Sequence, residues 1–199
     1  MKYLKTRIGN TYFEVGCQHI EKGNYSEAAQ ALESAVELMP TDAEALMFLG
    51  CAYQGLGDCD KAILAFKEAI NIREDYAQAY YNLGLTYQHL QSYEEAMNSY
   101  KKAISIEPDY PLAHNNLGSV FIELDRYEQG IEACKHAISL KPDFSEAYYN
   151  IASAYFHLGD YSSATDACKR LVQIEPNHPY VHRLLDVMSH NLCDSSHST

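Results

Sequence analysis

Three asparagines recur along the chain at a constant interval, and their side chains can form a specific kind of contact. Asn82, Asn116 and Asn150 follow one another at steps of 34 residues. A side-chain amide carries both hydrogen-bond donors and an acceptor, so a row of amides can pair with the N–H and C=O groups of an extended peptide. The same amides can instead bond between adjacent units, or simply belong to the repeating pattern. The sequence leaves both interpretations open.

The segment 77–110 indicates which elements carry these asparagines. Its first half places apolar and small residues at i, i+3, i+4 and i+7, which a helix gathers on one face. Gln91 and Ser92 interrupt this pattern, and a second helical pattern runs until Pro108, whose ring has no N–H and clashes with the preceding turn. The segment therefore predicts a helix, a turn and a second helix. The residues on the two predicted faces are Tyr80, Leu83, Gly84 and Tyr87, then Ala96, Tyr100 and Ala103.

The landmarks of this segment return every 34 residues. The small residue of the first helix recurs as Gly16, Gly50, Gly84, Gly118 and Ala152. The small residue of the second helix recurs as Ala28, Ala62, Ala96, Gly130 and Ala164, and the closing residue as Pro40, Glu74, Pro108, Pro142 and Pro176. This pattern resembles the tetratricopeptide repeat family, whose unit is a helix–turn–helix of about 34 residues. The resemblance implies an all-α fold, a right-handed superhelical solenoid of stacked helix pairs.

The resemblance covers residues 9–178 and leaves a segment on either side. Residues 1–8 form an N-terminal extension that we predict to be helical, with a frayed terminus as an equal alternative. An apolar stripe in residues 179–193 predicts a C-terminal capping helix that covers the end of the stack. The small polar residues 194–199 predict a disordered tail. The five predicted repeats are 9–42, 43–76, 77–110, 111–144 and 145–178.

The resemblance also implies where a ligand binds, because in this family the first helices line the concave surface. We take the inner positions to be those that point away from the predicted packing face of each first helix. None of them is lysine or arginine, so the basic clamp with which related co-chaperones hold C-terminal carboxylates is missing. The predicted peptide-binding groove consists of Glu44, Met47, Gln78, Tyr81, Asn82, Leu85, Asn115, Asn116, Glu146, Tyr149, Asn150 and Phe156.

The chemistry of this groove restricts the expected ligand. Tyr81 and Tyr149 can hold a peptide with a large rigid area and a hydroxyl group, or they are ordinary surface aromatics. Glu44 and Glu146 are the charged residues of the groove. The chain has 15 Lys+Arg against 27 Asp+Glu, a formal charge of −12 that disfavours nucleic acid and anionic lipid. We therefore expect protein partners that bind through extended, neutral-to-basic segments with apolar side chains.

Other reactive residue types give no sign of catalysis. Cys17 and Cys51, like Cys134 and Cys168, occupy equivalent packing positions in different repeats, which predicts free thiols in a reducing compartment. The nine histidines do not stand at metal-ligand spacing to cysteines or carboxylates. Nucleophile-elbow and phosphate-loop motifs are missing. We expect neither enzyme activity nor a metal or other cofactor.

The lack of long apolar runs and the family resemblance predict the location and the function of the protein. There is no run of about 18 apolar residues and no signal-peptide pattern at the start, so we expect a cytoplasmic protein, alternatively one peripheral to a larger assembly or organelle surface. The expected function is a non-catalytic interaction scaffold or adaptor, and its asparagine row resembles that of the O-linked N-acetylglucosamine transferases. The alternative is a self-assembling homo-oligomeric scaffold, such as a coat on a bacterial organelle like the magnetosome.

Overall fold

Ten α-helices follow one another along the residues that the computed structural model describes, which are 2–178 and 181. No strand occurs in this part of the chain, so the all-α prediction is confirmed. The helices are α1 (Lys2–Glu21), α2 (Tyr25–Leu38), α3 (Ala43–Gly55), α4 (Cys59–Ile72), α5 (Ala77–His89), α6 (Tyr93–Ile106), α7 (Pro111–Glu123), α8 (Tyr127–Leu140), α9 (Ser145–His157) and α10 (Tyr161–Ile174).

The helices belong to two compact units, Met1–Ile106 and Glu107–Thr199. In the first unit, α1 packs on α2, α3 on α4 and α5 on α6, and each pair also contacts the next through α2–α3 and α4–α5. In the second unit, α7 packs on α8, α9 on α10, and α8 on α9. Each unit is therefore a stack of helix pairs. We call the odd-numbered helices first helices and the even-numbered ones second helices.

The turn inside every helix pair has the same backbone geometry. One residue per turn has a positive φ of 58–77°, the left-handed region that glycine enters at the lowest cost. Glycine occupies this position in three turns, while Gln91 and Asp125 adopt it in the other two. Three residues connect the two helices of each pair, and the first and second helices lie side by side. The five turn residues are Gly23, Gly57, Gln91, Asp125 and Gly159.

Within the helix pairs, a small residue of the first helix faces a buried residue of the second helix. A methyl group added to Gly50 would lie 2.5 Å from the Phe66 ring, and one added to Gly84 would lie 2.7 Å from the Tyr100 ring. Glycine at these positions therefore leaves the room that the larger side chain fills. The facing residues are Leu32, Phe66, Tyr100, Cys134 and Cys168, all fully buried.

In the pair α7–α8, the second-helix residue is the smaller Cys134 and the two helices approach to backbone contact. A methyl group on Gly118 would lie 2.9 Å from the carbonyl oxygen of Gly130, and one on Gly130 would lie 3.0 Å from the carbonyl oxygen of Gly118. Glycine at 130 costs about 1 kcal/mol of helix propensity relative to alanine. The close approach is the physical reason for the glycine, because alanine would clash.

The structure describes the segment before the predicted repeats, but little of the segment after them. Residues 2–8 are helical and form the start of α1, which runs without a break to Glu21. Gly9 is buried, and a methyl group there would lie 2.7 Å from the Met39 side chain. Val181 is fully buried in a cluster with Leu171. The rest of the predicted capping helix and the tail 194–199 lie outside the described residues. None of the described helices is long and apolar enough to cross a membrane.

Candidate functional site

The first helices form one side of each unit. In the first unit α1 contacts α3 and α3 contacts α5, and in the second unit α7 contacts α9. Within the described residues, no contact of that extent joins α2 to α4, α4 to α6 or α8 to α10. Each stack therefore curves with its first helices on the inner side. This inner side carries the residues that the sequence predicts to form the groove.

In the first unit, part of the predicted groove is packing rather than surface. Met47 is only 1% exposed, so its assignment as a groove residue is wrong: its side chain fills the space between α3 and α5. Asn82 is also buried, and its Nδ2 lies 3.8 Å from Met47 Sδ and 3.6 Å from Cys51 Sγ. These contacts join neighbouring helix pairs. For Asn82, the geometry favours the interpretation that the amide bonds between adjacent units.

A polar connection that the sequence analysis missed lies beside Asn82. Gln54 Nε2 donates to Thr86 Oγ1 over 3.2 Å, and Thr86 Oγ1 donates to the carbonyl oxygen of Asn82 over 2.9 Å. Thr86 is fully buried, and these bonds satisfy its hydroxyl group. Gln54 belongs to α3 and Thr86 to α5, so the bond connects two helix pairs. The sequence signal for it is a second polar residue, Thr86, one helical turn after Asn82 on the same face of α5.

The second unit brings three predicted groove residues into one chain of hydrogen bonds. Asn150 Nδ2 donates to Asn115 Oδ1 over 3.0 Å, and Asn115 Nδ2 donates to Asn116 Oδ1 over 3.2 Å. Asn115 is buried, whereas Asn116 and Asn150 are half-buried and reach the surface. The chain of amides therefore runs from the contact between α7 and α9 outward to solvent. We call Asn115, Asn116 and Asn150 the amide chain.

The aromatic and charged residues of the predicted groove lie at the surface. Tyr81, Leu85, Tyr149 and Phe156 are half-buried, and Glu44, Gln78 and Glu146 are exposed. The Tyr149 ring lies 5.2 Å from the His178 ring, and the Tyr81 ring lies 5.9 Å from the Tyr100 ring. Each tyrosine is thus held by a neighbouring ring while part of its surface stays accessible. His178 was missed because it follows the last predicted helix of the repeats.

The described cysteines are free thiols, and burial suppresses their ionisation. Burial, together with the nearby Cys17, raises the pKa of Cys51 to about 11. Burial raises the pKa of Cys134 to about 12, against the opposing effect of a hydrogen bond with Asn150. The thiolate is the reactive form, so these side chains are not activated nucleophiles. Within the described residues, no group of three or more His, Cys, Asp or Glu side chains is placed to hold a metal ion.

We predict that Cys51 reacts slowly in the folded protein. With a pKa of about 11, only about one thiol in a thousand is ionised at about pH 8, against about a quarter for an ordinary thiol. Iodoacetamide labelling of Cys51, followed by mass spectrometry, should be about two hundredfold slower in the folded than in the urea-unfolded protein, in line with these ionised fractions. The folded-state rate should rise about tenfold per pH unit between about pH 7 and 9.5. A rate that levels off near pH 9 would contradict the raised pKa.

Comparisons with known proteins assign the family. Residues 55–91 and 89–125 match a model described as TPR repeat, and residues 9–42 and 121–186 match models described as tetratricopeptide repeat. The chain belongs to the tetratricopeptide repeat family. Proteins of this family bind other proteins, and the fold accordingly supports a protein-interaction scaffold. A comparison with curated proteins found no match.

Solved structures share the fold. The chain is similar to the crystal structure of MamA protein, with a TM-score of 0.77 and 28% identity over 85% of this chain and 92% of that one. It is similar to Pseudomonas aeruginosa PilF, with a TM-score of 0.83 and 19% identity over 96% and 87% of the two chains. It is also similar to YrrB, described as a TPR protein with an unusual peptide-binding site, with a TM-score of 0.73 and 17% identity over 86% and 89%.

Proposed function

We propose that this protein is a non-catalytic scaffold that binds an extended segment of a partner protein on the inner, first-helix side of its helix pairs. The observation that carries the proposal is the amide chain of the second unit. Asn115 accepts from Asn150 and fixes its orientation, while Asn116 and Asn150 still reach the surface. Two fixed amides at one edge can pair with the backbone of an extended peptide, which offers an N–H and a C=O at each residue.

Neighbouring side chains supply the rest of the proposed contact. Tyr149 and Phe156 on α9 offer half-buried aromatic surface, which suits apolar side chains of a peptide. The first unit, taken by itself, offers the same kind of surface on its own first-helix side through Tyr81 and Leu85 of α5. Met47 is buried, so it is not part of the proposed peptide contact. Asn82 is not part of it either, because its amide contacts the sulfur atom of Met47. The proposed ligand therefore carries apolar side chains.

The charged residues of the inner side determine whether an acidic or a basic peptide is favoured. Glu146 is exposed on α9, and Glu44 is exposed on α3. The inner positions carry no lysine or arginine, and the whole chain has a formal charge of −12. An acidic segment would meet repulsion at both places, whereas a basic one would be attracted. We therefore propose that neutral-to-basic segments bind and that acidic tails do not.

Titration of fluorescent peptides against the full chain tests this proposal. Two matched sets of extended peptides, with the same apolar residues and opposite charge, should separate by affinity, the neutral-to-basic set binding with micromolar dissociation constants. Each hydrogen bond contributes about 0.5–1.5 kcal/mol, so the double substitution Asn116→Ala/Asn150→Ala should weaken binding about tenfold or more.

The matched control is Gln129→Ala, which removes an exposed amide from the second helix α8. It should leave peptide affinity unchanged. Circular dichroism should show the same helicity for the control and the double variant. A preference for the acidic set, or equal affinity of the double variant and the control, would refute the proposed site.

Self-assembly is the second candidate function, and a specific observation favours it. The first helix α1 exposes an apolar face. In the later helix pairs, the preceding pair packs against this face of the first helix.

A further inference from the structure

Helix α1 carries an exposed apolar stripe. Leu4 is 58% exposed and Val15 is 37% exposed, with Ile8 and Tyr12 between these values. Their spacing of i, i+4, i+8 and i+11 gathers them within an arc of about 80° at about 100° per residue. Among the described residues, α1 holds five of the twelve large apolar side chains that are exposed. We call Leu4, Ile8, Tyr12 and Val15 the α1 stripe.

The α1 stripe does not face the helix on which α1 packs. The packing face of α1 contains Gly9 and Gly16, both buried, where added methyl groups would contact Met39 and Leu32 of the α2 segment. These glycines lie about 90° around the helix from the centre of the stripe, whose residues stay exposed. The stripe is therefore a second apolar face, in addition to the one that holds α1 in the fold.

At the position of Val15, the equivalent face is buried in the later helix pairs. The residues that correspond to Val15 are between 5% and 8% exposed, and Leu49, for example, packs in a cluster with Ala28 and Leu32 of the preceding pair. No described helix covers this face of α1. The stripe thus has the character of a helix-packing surface, which favours a helix as its partner. The residues that correspond to Val15 are Leu49, Leu83, Leu117 and Ile151.

We propose that the α1 stripe binds the α1 stripe of a second copy of this chain, with the two helices antiparallel. The charged residues of α1 are divided between its halves: Lys2, Lys5 and Arg7 precede the centre, and Glu14 and Glu21 follow it. In an antiparallel pair, the basic half of each helix lies beside the acidic half of the other. A parallel pair would bring the basic halves together and would be repelled.

The same register satisfies the apolar and the charged residues. With a two-fold axis near Asn10, Ile8 faces Tyr12 of the second copy and Leu4 approaches Val15. The axis also brings Arg7 of each copy to Glu14 of the other. Arg7 and Glu14 stand two helical turns apart on one flank of the stripe, which is where antiparallel helices place their side-by-side charges. One arrangement therefore explains both patterns.

The size of the surface predicts reversible association. A single pair of helices of this length lies near the lower limit of specific interfaces, which bury about 1,200–2,000 Å² in total. We therefore expect a monomer–dimer equilibrium in the micromolar range. The inference does not rest on the peptide site of the first helices, since the α1 stripe uses other residues.

Sedimentation velocity of the full chain over a range of concentrations tests the proposal. The wild type should form dimers, and Ile8→Asp should weaken dimerisation a hundredfold or more because two charges would be buried against apolar surface. Arg7→Glu and Glu14→Arg should each weaken it about tenfold, since each places like charges together twice in the dimer. The double variant Arg7→Glu/Glu14→Arg should recover wild-type dimerisation.

A mixture of the two single charge variants separates this dimer from other modes of association. At positions 7 and 14 the Arg7→Glu copy carries two glutamates and the Glu14→Arg copy two arginines, so the mixture should form heterodimers at least as tight as the wild-type dimer. Leu64→Asp is the control, because Leu64 is 62% exposed on α4 and lies off the stripe. A monomeric wild type, an equal effect of Leu64→Asp, or a mixture that stays monomeric would each overturn the proposal.

Discussion

Replacing Gly118 by alanine should destabilise the protein more than an alanine in a helix normally does. The new methyl group would lie 2.4 Å from Cys134 Sγ and 2.9 Å from the carbonyl oxygen of Gly130. The side chain of Cys134 can rotate, but the backbone carbonyl cannot, so α7 and α8 must separate. Overpacking of this kind costs about 1–3 kcal/mol or more, a large fraction of a total stability of about 5–15 kcal/mol. Urea denaturation followed by circular dichroism measures the loss.

The chain supplies its own control for Gly118→Ala. Ala152 occupies the equivalent position in the pair α9–α10 and is fully buried there, so that pair already accommodates the methyl group. The substitution Ala152→Gly should cost only the lower helix propensity of glycine, about 1 kcal/mol, plus the small cavity. If Gly118→Ala shifts the urea midpoint no more than a surface substitution, the close approach of α7 and α8 is wrong.

The sequence predicted the helices well because they follow a repeated local pattern. Periodicity identified each first helix and its packing face, and the left-handed turn position recurs even where Gln91 and Asp125 replace glycine. The sequence also placed Gly84 on the packing face of its helix, and the Tyr100 ring faces it in the structure. It did not reveal why Gly130 replaces alanine. That reason lies in the distance between two backbones, which no local pattern encodes.

The candidate site was less predictable, because the pattern identifies a face of a helix and not its neighbours. Asn82 and Asn150 occupy the same position in different repeats, yet one contacts sulfur atoms and the other donates to Asn115. The difference comes from the preceding repeat, which offers Met47 and Cys51 in one case and Asn115 in the other. The three asparagines of the row therefore lie in two different local environments. The peptide contact proposed above uses the amide chain, because Asn116 and Asn150 reach the surface whereas Asn82 is buried.

The pair formed by Gly50 and Phe66 should show strong energetic coupling. Phe66 is fully buried between α3 and α4, so Phe66→Ala should cost about 3–5 kcal/mol through lost burial and a cavity. Gly50→Ala should cost about 1–3 kcal/mol by itself, because its methyl group would lie 2.5 Å from the ring. In the double variant, the methyl group enters the space that the ring leaves. The combined cost should be smaller than the sum by about 1 kcal/mol or more.

A second double-mutant cycle separates side-chain from backbone crowding. In Gly118→Ala/Cys134→Ala, the thiol is removed but the carbonyl oxygen of Gly130 stays 2.9 Å from the new methyl group. The coupling energy of this cycle should be much smaller than that of the Gly50 and Phe66 cycle, because the carbonyl oxygen of Gly130 cannot rotate away. Urea midpoints of the six variants give both coupling energies under one set of conditions. If Gly50→Ala and Phe66→Ala add to within about 0.5 kcal/mol, the glycine does not make room for the ring, and the packing rule inferred for every helix pair fails.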